Sequence, residues 1–101
     1  MAKAKKVKDP PASAADLSLT LSADGKTLTT TISPNAQWSG IQKFVDPNSN
    51  DGASSIGNWY YASPPGTGKT ESVAVAGTGY YRGWSSDVNY TVHLSNVVFV
   101  P

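Results

Sequence analysis

The chain contains no cysteine. No disulfide can staple so small a fold, and no thiolate is present to bind a metal or attack a substrate. Histidine occurs once, at position 93, which is poor material for a zinc site built from clustered imidazoles and thiolates. Charge is scarce: Asp, Glu, Lys and Arg together make up 15% of residues. No apolar run approaches the roughly 18 residues that a membrane-crossing helix needs. The basic N-terminus also lacks the apolar stretch of a signal peptide, because Val7 is followed by Lys8-Asp9-Pro10-Pro11. Export by that route is therefore not expected.

What is abundant is Ser, Thr, Gly, Pro and Asn, together with 10% aromatic residues. That mixture suits an all-β domain with many turns. At 101 residues there is room for one compact domain. A nucleotide-binding core of several βαβ units needs more chain. The charges are unevenly placed. Lys3, Lys5, Lys6 and Lys8 precede the first acid, and the remaining residues hold four bases against seven acids. Residues 1–15 thus read as a basic, proline-containing arm, and residues 16–101 as a mildly acidic body.

Within the body the apolar period is two. Leu17, Leu19 and Leu21 alternate with polar residues, Asp24-Gly25 supplies a tight hairpin, and Leu28, Thr30 and Ile32 form one face of the returning strand. Trp38 to Val45 is expected as a third strand with a bulge at Gly40. Residues 46–57 are expected as a loop, Asn58 to Ala62 as a fourth strand, and Thr70 to Ala76 as a fifth. Gly77 and Gly79 read as interruptions. Val88, Tyr90, Val92 and Leu94 then predict a strand face, and Val97 to Val100 a last strand. About seven strands without a helical segment predict an antiparallel β-sandwich.

On these residues the chain resembles immunoglobulin-like and fibronectin type III domains. Asp87-Val88-Asn89-Tyr90-Thr91-Val92 is similar to the start of their F strand. The resemblance implies a tyrosine corner at Tyr90, with Val92 in the place that antibodies give to a core cysteine. It also implies a core tryptophan, for which Trp38 and Trp59 are both available. The fold class so implied is all-β, an immunoglobulin-like sandwich of about seven strands with an N-terminal arm.

Three motifs suggest chemistry and are weakened by their surroundings. Residues 63–70, S-P-P-G-T-G-K-T, approach a phosphate-binding loop. Such a loop must open a helix, yet E-S-V-A-V-A follows with strand periodicity, so a turn is expected and no nucleotide. Asp46, Asn48 and Asn50 begin like a calcium loop, but Asp51 holds the sixth position and Gly57 the twelfth, where Gly and Glu are needed. His93, between Val92 and Leu94, is expected to point away from the core. Neither a cofactor nor a metal is expected, and no pairing of nucleophile and base suggests an enzyme.

The aromatics carry more weight. Tyr80, Tyr81, Arg82 and Trp84, with Trp59, form a candidate contact patch, since Tyr, Trp and Arg supply interface anchors. They serve equally well as core filling, or as rings for stacking on sugars. The Lys-rich arm is a solubilising tail, a nonspecific nucleic-acid contact, or an anchor at Lys3, Lys5, Lys6 and Lys8 on a larger assembly. Small cysteine-free sandwiches with a short Lys/Pro arm resemble decoration proteins of tailed bacteriophages. That resemblance implies a non-catalytic virion protein, made in the host cytoplasm and present in many copies. Its partners would be other virion proteins and host-surface glycans. A carbohydrate-binding or adhesive sandwich is the alternative.

Overall fold

A computed structural model describes residues 16–46 and 53–101. The expected arm at residues 1–15 lies outside the described residues, as does the centre of the expected calcium-like loop. Seven strands are present among the described residues: β1 Leu19–Leu21, β2 Thr27–Thr31, β3 Ala36–Phe44, β4 Ser54–Tyr60, β5 Thr70–Ala74, β6 Gly79–Asp87 and β7 Val92–Val100. They form two antiparallel sheets, ordered β1-β2-β5 and β4-β3-β6-β7. This is the all-β, antiparallel sandwich that the alternation predicts, and it is compatible with the immunoglobulin-like fold that the resemblance implies.

The first hairpin shows how the sequence directs the chain. Leu19 pairs with Thr30 and Leu21 with Leu28, so the apolar alternation of both strands faces one side. Between them Gly25 takes φ 73°, a left-handed conformation that glycine adopts without steric cost. The Ser22 hydroxyl donates to Asp24 Oδ1 at 2.5 Å and accepts the Thr27 amide at 3.0 Å, closing the turn. The inward face then delivers Leu19, Leu28, Ile41, Tyr81 and Val100 to the core, with Trp59, Val73 and Val98 packed against them.

The expected strand at Val88–Leu94 is corrected. Val88 to Thr91 form the turn between β6 and β7, and Tyr90 sits in it at φ 64°, 77% exposed. The strand that the resemblance seeks is β6, one element earlier. There Tyr81 is fully buried, and its hydroxyl accepts the Ala76 amide at 3.0 Å and donates to the Gly77 carbonyl at 2.6 Å. These are the bonds of a tyrosine corner, made back to the chain a few residues upstream. Burial raises the Tyr81 pKa above its ordinary value, against the lowering effect of the Ala76 amide. Two residues on, the place of the antibody cysteine falls to Gly83, not Val92. Glycine there is not punctuation: the Thr30 side chain occupies the space a side chain would fill.

Two bulges invert the alternation, and both bear on the surface. Ala36 pairs with Asp87 while Trp38 pairs with Ser86, so Gln37 is an extra residue in β3. Ala36 is fully buried, and beyond the bulge Trp38 faces outward while Ser39 and Ile41 face in. The expected bulge at Gly40 is instead found at Gln37, with a second irregularity at Ile41/Gln42 against β4. Of the two tryptophans proposed for the core, Trp59 packs against it and Trp38 does not. In β7, Arg82 pairs with Val97 but Trp84 with Leu94, leaving Ser95 and Asn96 opposite Gly83. The extra Asn96 turns to β1, where its side-chain amide donates to and accepts from the Leu19 backbone at 3.0 and 2.9 Å.

The edges of the two sheets are joined at both sides. Leu17 makes a parallel bridge to Ser95, carrying the chain from β7 across to β1. Opposite, Tyr61 donates to Glu71 Oε1 at 2.5 Å, linking the chain just after β4 to β5. Burial and then the Glu71 carboxylate push the Tyr61 pKa up to about 12. Residues 63–70 form the connection between β4 and β5, and Thr70 opens strand β5, as the alternation after Lys69 predicts.

Candidate contact surface

With one sheet face given to the core, the outer face of β4-β3-β6-β7 remains. Cross-strand pairing assigns its residues. From β3 come Trp38, Gly40, Gln42 and Phe44; from β6, Ser86, Trp84, Arg82 and Tyr80; from β4, Tyr60 and Asn58; from β7, Val92, Leu94, Val97 and Phe99.

This face has two aromatic ends. At one, Tyr80 stacks on Phe44 with ring centroids 5.9 Å apart, Phe99 lies 4.8 Å from Tyr80, and the Arg82 guanidinium sits 5.7 Å from the Phe44 centroid. Phe44, Tyr80 and Arg82 are all buried. At the other end, Trp38 has Tyr60 tilted against it at 5.9 Å and Tyr90 stacked on it at 6.1 Å, 18° from parallel. Here the rings are open to solvent: Tyr60 is 61% exposed and Tyr90 77%. Between the ends, Gly40 makes room for Trp84. A β-carbon at position 40 would stand 2.5 Å from Trp84 Nε1 and 2.6 Å from the Gly57 carbonyl. The indole therefore lies down on β3 and flattens the face.

The turn that carries Tyr90 is held by a polar cluster. Asp87 Oδ1 accepts the Asn89 and Thr91 amides at 2.8 and 3.0 Å, and the Tyr90 amide donates to the Asp87 carbonyl at 2.9 Å. Positive φ is rare for so large a residue and costs on the order of 1–3 kcal/mol. The Asp87 carboxyl is held below its ordinary value chiefly by the Thr91 amide, with His93 and Asn89 adding to it. His93 is not turned away from the core side as the sequence suggests. It pairs with the fully buried Ser85, because the Asn96 bulge inverts the facing of β7. Its Nδ1 lies 2.5 Å from Asp16 Oδ2 and its Nε2 3.3 Å from Asp87 Oδ2. The hydrogen bond to Asp16, ahead of that to Asp87, raises the His93 pKa above 6.5.

The five residues of the expected patch do not share a face. Tyr80, Arg82 and Trp84 lie outward on β6, whereas Tyr81 and Trp59 face the core. Alternation alone separates Tyr80 from Tyr81. The anchor lysines at 3, 5, 6 and 8 lie outside the described residues. None of the three residues of the open end, Trp38, Tyr60 and Tyr90, was in that patch. Asp87 and Asn89 are turn formers and signalled the Tyr90 turn, but the two-residue period of Val88, Tyr90, Val92 and Leu94 masked it. Nothing in the sequence marks the bulge at Gln37 that turns Trp38 outward.

Among the described residues no group of three or more His, Cys, Asp or Glu side chains could hold a metal ion. No helix among them is long and apolar enough to cross a membrane. Comparison with family models, with curated proteins and with solved structures gave no match.

Proposed function

We propose that this chain is a non-catalytic contact protein, carried in many copies on a virus particle, whose sandwich presents the open aromatic end of the four-stranded sheet to a partner. The observation that carries the contact reading is the Trp38–Tyr60–Tyr90 cluster. Large rings are left in solvent on an outer sheet face, one of them at an unfavourable backbone conformation. Strain of that kind persists where the surrounding structure enforces it and is concentrated at working sites. The occupied state of His93, with a carboxylate at each ring nitrogen, supports a scaffold role over general-base catalysis.

The virion setting rests on the sequence resemblance and on the basic segment at residues 1–15, with Lys3, Lys5, Lys6 and Lys8 as anchor to other virion proteins. Repeated copies would give avidity to individually weak contacts. The test is an association assay with two variants. Removing residues 2–15 is expected to abolish attachment to the particle while the circular dichroism of the sandwich is kept. Trp38→Ala is expected to leave attachment intact and to weaken binding of the decorated particle to its target. Unchanged attachment after the truncation would overturn the anchor role.

A further inference from the structure

The open aromatic end resolves into a small site with a definite chemistry. Its aromatic surface is Trp38 with the near-parallel Tyr90 and the reclining Trp84, the tilted Tyr60 stands beside it, and its rim is Asn58 and Ser86. Asn58 stands two residues from Tyr60 on the same face of β4, opposite Gly40, and is exposed. Ser86 is the partner of Trp38 on β6, and Val92 is the partner of Ser86 on β7. Every one of these side chains is uncharged. The nearest acid along the chain, Asp87, turns to the other side of the sheet to meet His93.

We propose that this site binds neutral saccharides, a pyranose ring stacking on the Trp38 and Tyr90 rings while Asn58 and Ser86 receive its hydroxyls. The proposal deepens the contact reading above and rests on it. A pyranose offers an apolar face of C–H groups and an equatorial girdle of hydroxyls. Aromatic planes match the first, and short amide and hydroxyl side chains match the second. A phosphate, sulfate or sialic acid would instead call for a cation, and none of the described residues named at the site is one. A protein partner is a poorer match in size, since stable protein interfaces cover about 800 Å² on each side. The open rings are few, and the other aromatic end of the face is already buried. Tyr90 combines a left-handed backbone with a ring lying 18° from parallel to Trp38.

The test uses the full chain with neutral gluco-, manno- and galacto-oligosaccharides, alongside sialylated and sulfated counterparts. Binding is followed by tryptophan fluorescence and by chemical-shift changes at the indole resonances. Weak saturable binding of at least one neutral series is expected. Trp38→Ala and Tyr90→Ala should each weaken it on the order of tenfold. Binding confined to the charged sugars, or neutral binding that Trp38→Ala leaves unchanged, would overturn the assignment. If no neutral sugar binds yet Trp38→Ala still impairs particle binding, the saccharide assignment falls and the contact role survives. If neither responds, both fall.

Discussion

The bare backbone of Gly83 lies directly under the side chain of Thr30: a β-carbon at position 83 would stand 2.1 Å from Thr30 Oγ1 and 2.7 Å from the Thr30 β-carbon. The two sheets meet here, at the position where antibody domains place their inter-sheet disulfide. The approach is closer than a disulfide tolerates, since bridged β-carbons are about 3.8 Å apart. Gly83→Ala is therefore expected to destabilise the fold by roughly 1–3 kcal/mol through overpacking. Thr30→Ala in the same chain should recover part of that loss, because it removes the nearest atom. A urea-denaturation double-mutant cycle checks this, and additive effects would contradict the contact.

Tyr81 makes the second inter-element lock. Tyr81→Phe removes a hydroxyl that accepts one backbone bond and donates another. The ring stays, so packing is kept and the cost is that of leaving the Ala76 amide and Gly77 carbonyl short of a partner, about 1–3 kcal/mol. Tyr90→Phe, at the position first suggested for the tyrosine corner, should change stability by less than about 0.5 kcal/mol. Thermal melts of the two variants separate the assignments directly.

Tyr90 allows the strain in the turn to be measured. Tyr90→Ala loses the ring and keeps a β-carbon at φ 64°; Tyr90→Asn loses the ring but places there a residue that tolerates left-handed backbone. The Asn variant is expected to be the more stable of the two by about 1 kcal/mol. Both should weaken saccharide binding alike, which divides the cost of the conformation from the use of the ring.

The trio of Asp16, His93 and Asp87 sets a pH dependence. A neutral imidazole can donate from only one nitrogen, whereas the protonated ring can serve both carboxylates. His93 has its pKa raised above 6.5, so its contribution is complete below that value and disappears as pH rises through the higher folded value. Asp87 has its pKa lowered below 3.8. Its contribution is present above that value and disappears as pH falls through the lower folded one. Stability from this cluster should peak between the two transitions. As the sole histidine, His93 gives one clean proton-NMR titration, expected to have its midpoint above 6.5. Asp16→Asn should lower that midpoint more than Asp87→Asn does, following the larger influence of Asp16.

The parts of the fold that could be read in advance are those where one local rule acts alone. The β1–β2 hairpin follows from uninterrupted alternation around Asp24-Gly25, and β5 follows from the residues after Lys69. The reading failed where a tertiary contact overrode a local signal. The close approach of Thr30 to Gly83 carries no local mark in the sequence. Val88 to Leu94 read as one strand because an accidental alternation runs through a turn. The bulges at Gln37 and Asn96 each reverse the facing of what lies beyond them. They decide that Trp38 is outside and that His93 is on the core side, and their positions depend on partner strands far away in sequence. The open aromatic end was therefore illegible from the sequence even though its residues were in view.

The parallel bridge between Leu17 and Ser95 has a mechanical meaning. The Asp16 and Leu17 amides hold the Leu94 carbonyl at 3.1 and 3.2 Å, and Asn96 grips the Leu19 backbone from both sides. Because this segment runs parallel to β7, a pull applied ahead of Asp16 and resisted beyond Val100 loads these bonds in shear, together rather than one after another. A module held by one end and drawn by the other would meet its stiffest resistance at the first residues of its own fold.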